Sequence, residues 1–72
     1  MRFTEQLRMI QRLHQKIRLK ATGRPASLAG ELNISAATLY RYLDTMRDLG
    51  AEIAYCPYRQ SYYYEVDFKF EL

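Results

Sequence analysis

Residues 25–43 of the chain, PASLAGELNISAATLYRYL, decide the fold because they contain two helix starts separated by a chain reversal. Pro25 suits the first position of a helix, since its ring fixes φ and it has no N–H to leave unpaired. Asn33 follows the last apolar position and tolerates the left-handed conformation that ends a helix. Ser35 can cap the next helix by accepting a hydrogen bond from a free backbone N–H. The stretch therefore predicts two short helices joined by a tight turn, a helix-turn-helix.

The second helix of this pair is predicted over about residues 36–49. It starts after the Ser35 cap and ends at Gly50, a residue that readily adopts the conformation needed just after a helix. Its apolar side chains recur three and four positions apart, as they do on the buried face of a helix. That face consists of Leu39, Tyr42, Leu43, Met46 and Leu49.

A longer helix is predicted before this motif, capped by Thr4 and continuing to about Ala21. We interpret His14, which lies in its apolar arc, as a packed or edge histidine, because no second metal ligand lies nearby. Met9 and Leu19 point away from that arc. Basic residues recur every fourth position on the opposite side, at Arg8, Arg12, Lys16 and Lys20. The apolar arc itself contains Phe3, Leu7, Ile10, Leu13, His14 and Ile17.

After Gly50 the apolar period changes from that of a helix to that of a strand. Alternating, aromatic-rich segments over 53–56 and 62–66 flank the polar segment 57–61, which contains Pro57, so the pair predicts a β-hairpin with a loop of about four or five residues. Residues 68–72 also alternate. Three roles remain open for them: extending the sheet, covering the core, or pairing with a second copy.

Length and composition limit the protein to a simple organisation. A chain of 72 residues predicts one domain over 1–72, because so short a chain cannot support two cores. It has no apolar run approaching about 18 residues and no signal-peptide pattern. The single cysteine, Cys56, has no partner for a disulfide or a zinc site and is expected to be a half-buried strand residue. We therefore predict a cytoplasmic protein without a membrane partner.

Charge is distributed unevenly along the chain. In the first 24 residues, seven basic residues and one acidic residue give a net charge of +6, whereas four basic and seven acidic residues give −3 in the remainder. Such asymmetry suits a polyanionic partner on one side of the molecule.

The predicted order of helix, short helix, turn, helix and hairpin resembles the winged helix-turn-helix domains of bacterial deoxyribose-repressor-like and biotin-repressor-like regulators. The resemblance covers about residues 7–66, and its most specific parts are residues 28–32, 34–35, 38–43 and 49–53. It implies an α+β fold and a DNA-binding transcriptional regulator. In that family pattern, helix 36–49 would be the recognition helix in the major groove, and the hairpin over 52–66 would be a wing on flanking DNA.

Helix geometry indicates which side chains would meet DNA first. Ala37, Thr38 and Arg41 face outward, opposite the buried leucines. Arg41 could take the two guanine acceptors in the major groove or hold a phosphate, and the small alanines could touch a thymine methyl. The predicted DNA contacts are Ser35, Ala36, Ala37, Thr38, Tyr40 and Arg41, with Arg59 and Gln60 at the wing tip.

Contact with DNA is expected to involve only the first two turns of this helix. Asp44 and Asp48 follow Arg41 on the same outward stripe and would repel phosphate. Ala36 and Ala37 are small, so base contacts would be few. A homodimer fits this interpretation, because reading two half-sites would add both affinity and specificity.

Structural roles compete with these assignments. Arg41 could pair with Asp44 or Asp48, Tyr40 could pack on the first helix, and Thr38 could serve only to stabilise the helix start.

The alternative function is a protein-interaction or dimerisation module, since winged helices also serve as docking surfaces and fold does not fix function. The position of the basic stripe discriminates between the two functions. If the stripe and Arg41 lie on the same face of the molecule, nucleic-acid binding is favoured; if they lie on opposite faces, protein docking is favoured.

Catalysis is not expected from this sequence. There is no constellation of nucleophile, acid, base or metal ligand, and the one histidine lies in an apolar arc without a partner for proton transfer. We therefore predict that the protein is not an enzyme. We also expect no cofactor, no metal ion and no small-molecule ligand site.

Overall fold

The computed structural model describes residues 3–69. In this part of the chain, three helices precede a two-stranded hairpin. The elements are α1 (Phe3–Arg18), α2 (Pro25–Leu32), α3 (Ala36–Asp48), β1 (Ile53–Cys56) and β2 (Ser61–Tyr64). The strands pair antiparallel, and a four-residue turn, 57–60, connects them. The fold is thus α+β with a winged-helix-like topology, as the sequence predicts.

The three helices end in the same way. The residue that reverses the chain has a positive φ in each case: 55° at Lys20, 59° at Asn33 and 107° at Gly50. The next backbone N–H then donates to a carbonyl five residues back, at 3.0 Å each time. This arrangement satisfies carbonyl groups that a helix end leaves unpaired. The roles predicted for Asn33 and Gly50 are confirmed, whereas α1 ends at Arg18, and not near Ala21, because Lys20 reverses the chain.

Several predicted details at the helix ends are wrong. Thr4 is not a cap, because α1 already includes Phe3, and Phe3 is 71% exposed since the buried residues of α1 begin only at Ile10. Leu49 is 55% exposed because it follows the last helical residue, so the helical period no longer applies to it. Met9 packs against the core instead of pointing away from it, whereas Leu19 is exposed as predicted.

One hydrophobic core contains residues from every element. Leu13 and Ile17 of α1 are fully buried, as are Leu39 and Met46 of α3. The core-facing positions of α3 are those that the helical period predicts, apart from Leu49. The other buried apolar residues within residues 3–69 are Ile10, Leu28, Ala29, Leu32, Tyr42, Leu43, Ala51, Ile53 and Tyr62.

A buried pair of hydroxyl groups joins the connection between α1 and α2 to the hairpin. Thr22 and Ser61 are each only 1% exposed, and their hydroxyl oxygens lie 3.1 Å apart. Thr22 N–H donates to Ser61 Oγ at 3.1 Å, and Tyr62 N–H donates to Thr22 Oγ1 at 2.8 Å. The two hydroxyls in turn donate to the carbonyls of Gly23 and Tyr62. Side chains therefore provide the hydrogen bonds that attach the hairpin to this connection.

A second polar contact joins α1 to β2. His14 Nδ1 and the Tyr64 hydroxyl are 2.8 Å apart, and both residues are half-buried. The prediction of a packed or edge histidine is therefore confirmed. Phe68 lies beside both rings, with ring centroids 6.2 Å from His14 and 5.5 Å from Tyr64. Of the three roles left open for the tail, Phe68 covers the core, and residues 70–72 lie outside the described residues.

The burial of His14 predicts that the stability of the protein depends on pH. Burial lowers the pKa of His14, and the Arg18 guanidinium adds to the effect. The unfolded chain therefore binds more protons than the folded one as the pH falls through about 6.5, so stability should decrease from pH 7 to pH 5. We expect the melting temperature to fall over this interval by less in His14→Gln than in the wild type. An identical pH profile for the two proteins would contradict this assignment.

Cys56 is half-buried at the end of β1, as predicted. None of the helices over residues 3–69 has both the length and the apolar character needed to cross a membrane.

Candidate nucleic-acid interface

Ser35 forms the start of α3. Its backbone is extended, with φ −75° and ψ 160°, and its Oγ accepts a hydrogen bond from Thr38 N–H at 3.1 Å. The Ser35 hydroxyl itself donates to Thr38 Oγ1 at 2.9 Å. The predicted cap is therefore confirmed, and Thr38 takes part in it, so the structure gives this residue the helix-stabilising role that competes with DNA contact.

The exposed surface of the first two turns of α3 consists mainly of small side chains and includes the charged side chain of Arg41. Ala36, Ala37 and Arg41 are exposed, and Tyr40 is 49% exposed. Leu39, on the other side of the helix, is completely buried. Six of the eight predicted contact residues thus lie together on one helix and its cap. Because the two alanines have short side chains, the backbone of α3 can come close to another molecule there.

The guanidinium of Arg41 has no hydrogen-bond or ion-pair partner among residues 3–69. Asp44, one of its two candidate partners, instead pairs with Arg47, whose Nη1 lies 3.1 Å from the Asp44 carboxylate. Arg47 also donates to the Ile53 carbonyl at 3.2 Å. Asp48 is exposed. The structure therefore does not support the structural role considered for Arg41 and leaves its charge available to a partner.

Tyr40 lies near the hairpin. Burial raises the pKa of the Tyr62 phenol, and the neighbouring Tyr40 phenol adds to that effect. Since Tyr62 belongs to β2, the Tyr40 phenol lies within electrostatic range of the hairpin.

A groove separates the exposed part of α3 from the N-terminal half of α1. Its volume is about 280 Å³, and Gln6 and Ile10 line it on the α1 side. The Thr45 hydroxyl on the α3 side donates to the Arg41 carbonyl at 3.0 Å. The α3 residues that line it are Thr38, Arg41, Tyr42 and Thr45. Arg41 therefore borders both the exposed surface of α3 and this groove.

The turn of the hairpin holds the other two predicted contacts. Arg59 and Gln60 are exposed, and Gln60 has a φ of 51°. Arg59 shares a hollow of about 110 Å³ with Lys20, Cys56 and Tyr63. Two cations from distant parts of the chain thus meet beside the wing, a juxtaposition that sequence analysis missed because only the folded chain brings Lys20 to this position.

Arg8 and Arg12 of the basic stripe face away from the groove that Arg41 borders, whereas Lys20 lies beyond the end of α1. Arg8 and Arg12 each stand two positions from Ile10, which turns them about 160° around the helix axis. One turn further on, Lys16 Nζ lies 2.8 Å from a Glu31 carboxylate oxygen. The hydrogen bond from Lys16 is the main reason why the pKa of Glu31 is lowered. By the criterion set out above, this charge distribution favours protein docking.

Comparisons with known proteins add no assignment, since no family model, curated protein or solved structure matches the chain. No cluster of three or more His, Cys, Asp or Glu side chains that would suit a metal ion occurs within residues 3–69.

Proposed function

We propose that this protein is a DNA-binding transcriptional regulator, or the DNA-binding domain of one. The observation that carries the proposal is the unpartnered guanidinium of Arg41 on the exposed first two turns of α3. The resemblance to deoxyribose-repressor-like and biotin-repressor-like regulators assigns α3 to the major groove and the hairpin to flanking DNA. The winged-helix-like order of elements supports that assignment.

The local chemistry of α3 is consistent with this role. Arginine presents a planar fork of donors that matches the two acceptors of guanine, or the oxygens of a phosphate. Ala36 and Ala37 allow the helix start to come close to a base pair, and the free N–H groups of a helix N-terminus favour phosphate. Asp44 and Asp48 are exposed further along, so contact would be restricted to the first two turns.

Replacing Arg41 by alanine tests the proposal directly. We expect Arg41→Ala to weaken binding to the preferred duplex by about 1–3 kcal/mol, because a bidentate contact to a base would be lost. The measurement is fluorescence anisotropy with a duplex selected from a random pool, repeated over a series of salt concentrations. Equal weakening on unrelated duplexes, with a salt slope smaller by about one, would identify a phosphate contact instead.

Arg12→Ala is the matched control. It removes the same charge from the opposite side of α1, so binding should change by much less than in Arg41→Ala. Equal losses in the two variants would show that net charge, not the surface of α3, determines the affinity. No binding of the wild-type protein at low salt would contradict the proposed function.

A protein-interaction module is the second candidate, and the opposed positions of Arg41 and the basic stripe favour it. This candidate predicts a dimer or a hetero-complex that forms in the absence of DNA. Sedimentation of the purified protein over a range of concentrations discriminates it from a monomer that assembles only on two half-sites.

A further inference from the structure

The groove between α1 and α3 has the composition of a small ligand site. Ile10 and Tyr42 line it although they are only 6% and 8% exposed, and Gln6, Thr38, Arg41 and Thr45 add both aliphatic carbon and polar groups to the same space. Sites for small molecules combine an apolar lining with a few convergent polar groups in this way. The volume of about 280 Å³ corresponds to about nine water molecules, which limits the ligand to the size of a single substituted ring.

The hydrogen-bonding capacity of the groove favours a carboxylate. Arg41 has an unused guanidinium within residues 3–69, and its fork of donors matches the two oxygens of a carboxylate. The Thr38 hydroxyl accepts from Ser35 and keeps its own hydrogen to donate. A phosphate could use the Arg41 donors as well, but it has no apolar part to place against the carbon atoms of the mixed lining. The groove therefore suits an anion that also has an apolar body.

We propose that this groove binds a small organic carboxylate, and that the bound carboxylate competes with DNA for Arg41. The second half of the proposal rests on the proposed function, because it requires Arg41 to contact DNA. Two ligands that need the same side chain exclude each other, so each must weaken the other's binding. At ten times its own Kd, a competing carboxylate lowers the apparent affinity for DNA about elevenfold.

Binding to the protein alone is tested first, by titration with benzoate followed by amide chemical shifts. Benzoate should shift the resonances of the groove residues and leave those of the basic stripe around Arg12 unchanged. Neutral benzyl alcohol and inorganic phosphate should each bind at least about tenfold more weakly than benzoate. Arg41→Gln and Gln6→Ala should weaken benzoate binding, and Arg12→Gln, the matched control, should not. Shifts spread over all basic residues, or equal binding of phosphate, would overturn the proposed ligand class.

Competition is then measured on the complex with duplex DNA. Sodium benzoate should release DNA more effectively than sodium chloride at equal ionic strength, and the difference should be smaller in Gln6→Ala, which retains Arg41. Benzoate that occupies the groove without changing the affinity for DNA would overturn the competition. Benzoate binding by a protein that binds no duplex at all would support the ligand site and contradict the proposed function, so the two failures are distinguishable.

Discussion

Replacing Leu39 by alanine is expected to lower the free energy of unfolding by about 2–5 kcal/mol. Leu39 has no exposed surface and lies on the core side of α3, directly opposite the proposed DNA surface. Truncating the side chain would cost the free energy of transferring its buried atoms out of water. It would also leave a cavity under that surface, which adds a second cost. A domain of 72 residues has a total stability of about 4–11 kcal/mol, so the loss is a large part of the whole.

Chemical denaturation monitored by far-UV circular dichroism measures this effect. Leu19→Ala is the matched control, because Leu19 is 62% exposed and the same atoms are removed. We expect the control to change stability by no more than about 0.5 kcal/mol, as for other surface substitutions. Similar losses at the two positions would mean that the described core does not bear on the stability of the protein.

Thr22→Val should produce the second large loss of stability. The substitution keeps the shape of the side chain but removes the oxygen that accepts from Tyr62 N–H at 2.8 Å. A buried N–H left without a partner costs about 1–3 kcal/mol, and the Gly23 carbonyl would lose its donor as well. The loss of stability should be greatest in the hairpin, because β2 would lose a hydrogen bond to the Thr22 side chain while the core of the three helices keeps its packing.

Amide hydrogen exchange is the measurement that separates this effect from a general loss of stability. Exchange at Tyr62 should accelerate more than exchange at Leu39 in Thr22→Val. Thr22→Ser serves as the control, since it retains the hydroxyl and loses only a methyl group. Equal acceleration at Tyr62 in both variants would show that the hydroxyl is not what holds the hairpin.

Local rules were sufficient to predict the elements of this fold. Pro25, Asn33, Ser35 and Gly50 act through their own backbone preferences or through partners three residues away, so their roles can be deduced from neighbouring positions alone. The change of apolar period after Gly50 likewise predicts the hairpin without reference to the rest of the molecule.

Contacts between distant residues could not be predicted in this way. Thr22 and Ser61 are short polar residues in segments that resemble turns, and only the folded chain shows that they are buried together. The groove between α1 and α3 escaped prediction for the same reason, because Gln6 and Arg41 come from separate helices. The spacing of the basic stripe predicts that Lys20 belongs to the helix, although its backbone, with a positive φ, ends the helix.

Within residues 3–69 the sheet has two strands, so each strand has one edge without a strand neighbour in this part of the chain. Glu65 N–H donates to the Glu52 carbonyl, so in an antiparallel ladder the Ile53 carbonyl and the Tyr62 N–H point outward. Arg47 occupies the first of these groups and Thr22 the second. Free edges are templates for uncontrolled strand addition between molecules. The hairpin therefore has fewer main-chain groups to offer a neighbouring chain, which protects a concentrated solution of the protein against aggregation through its own sheet.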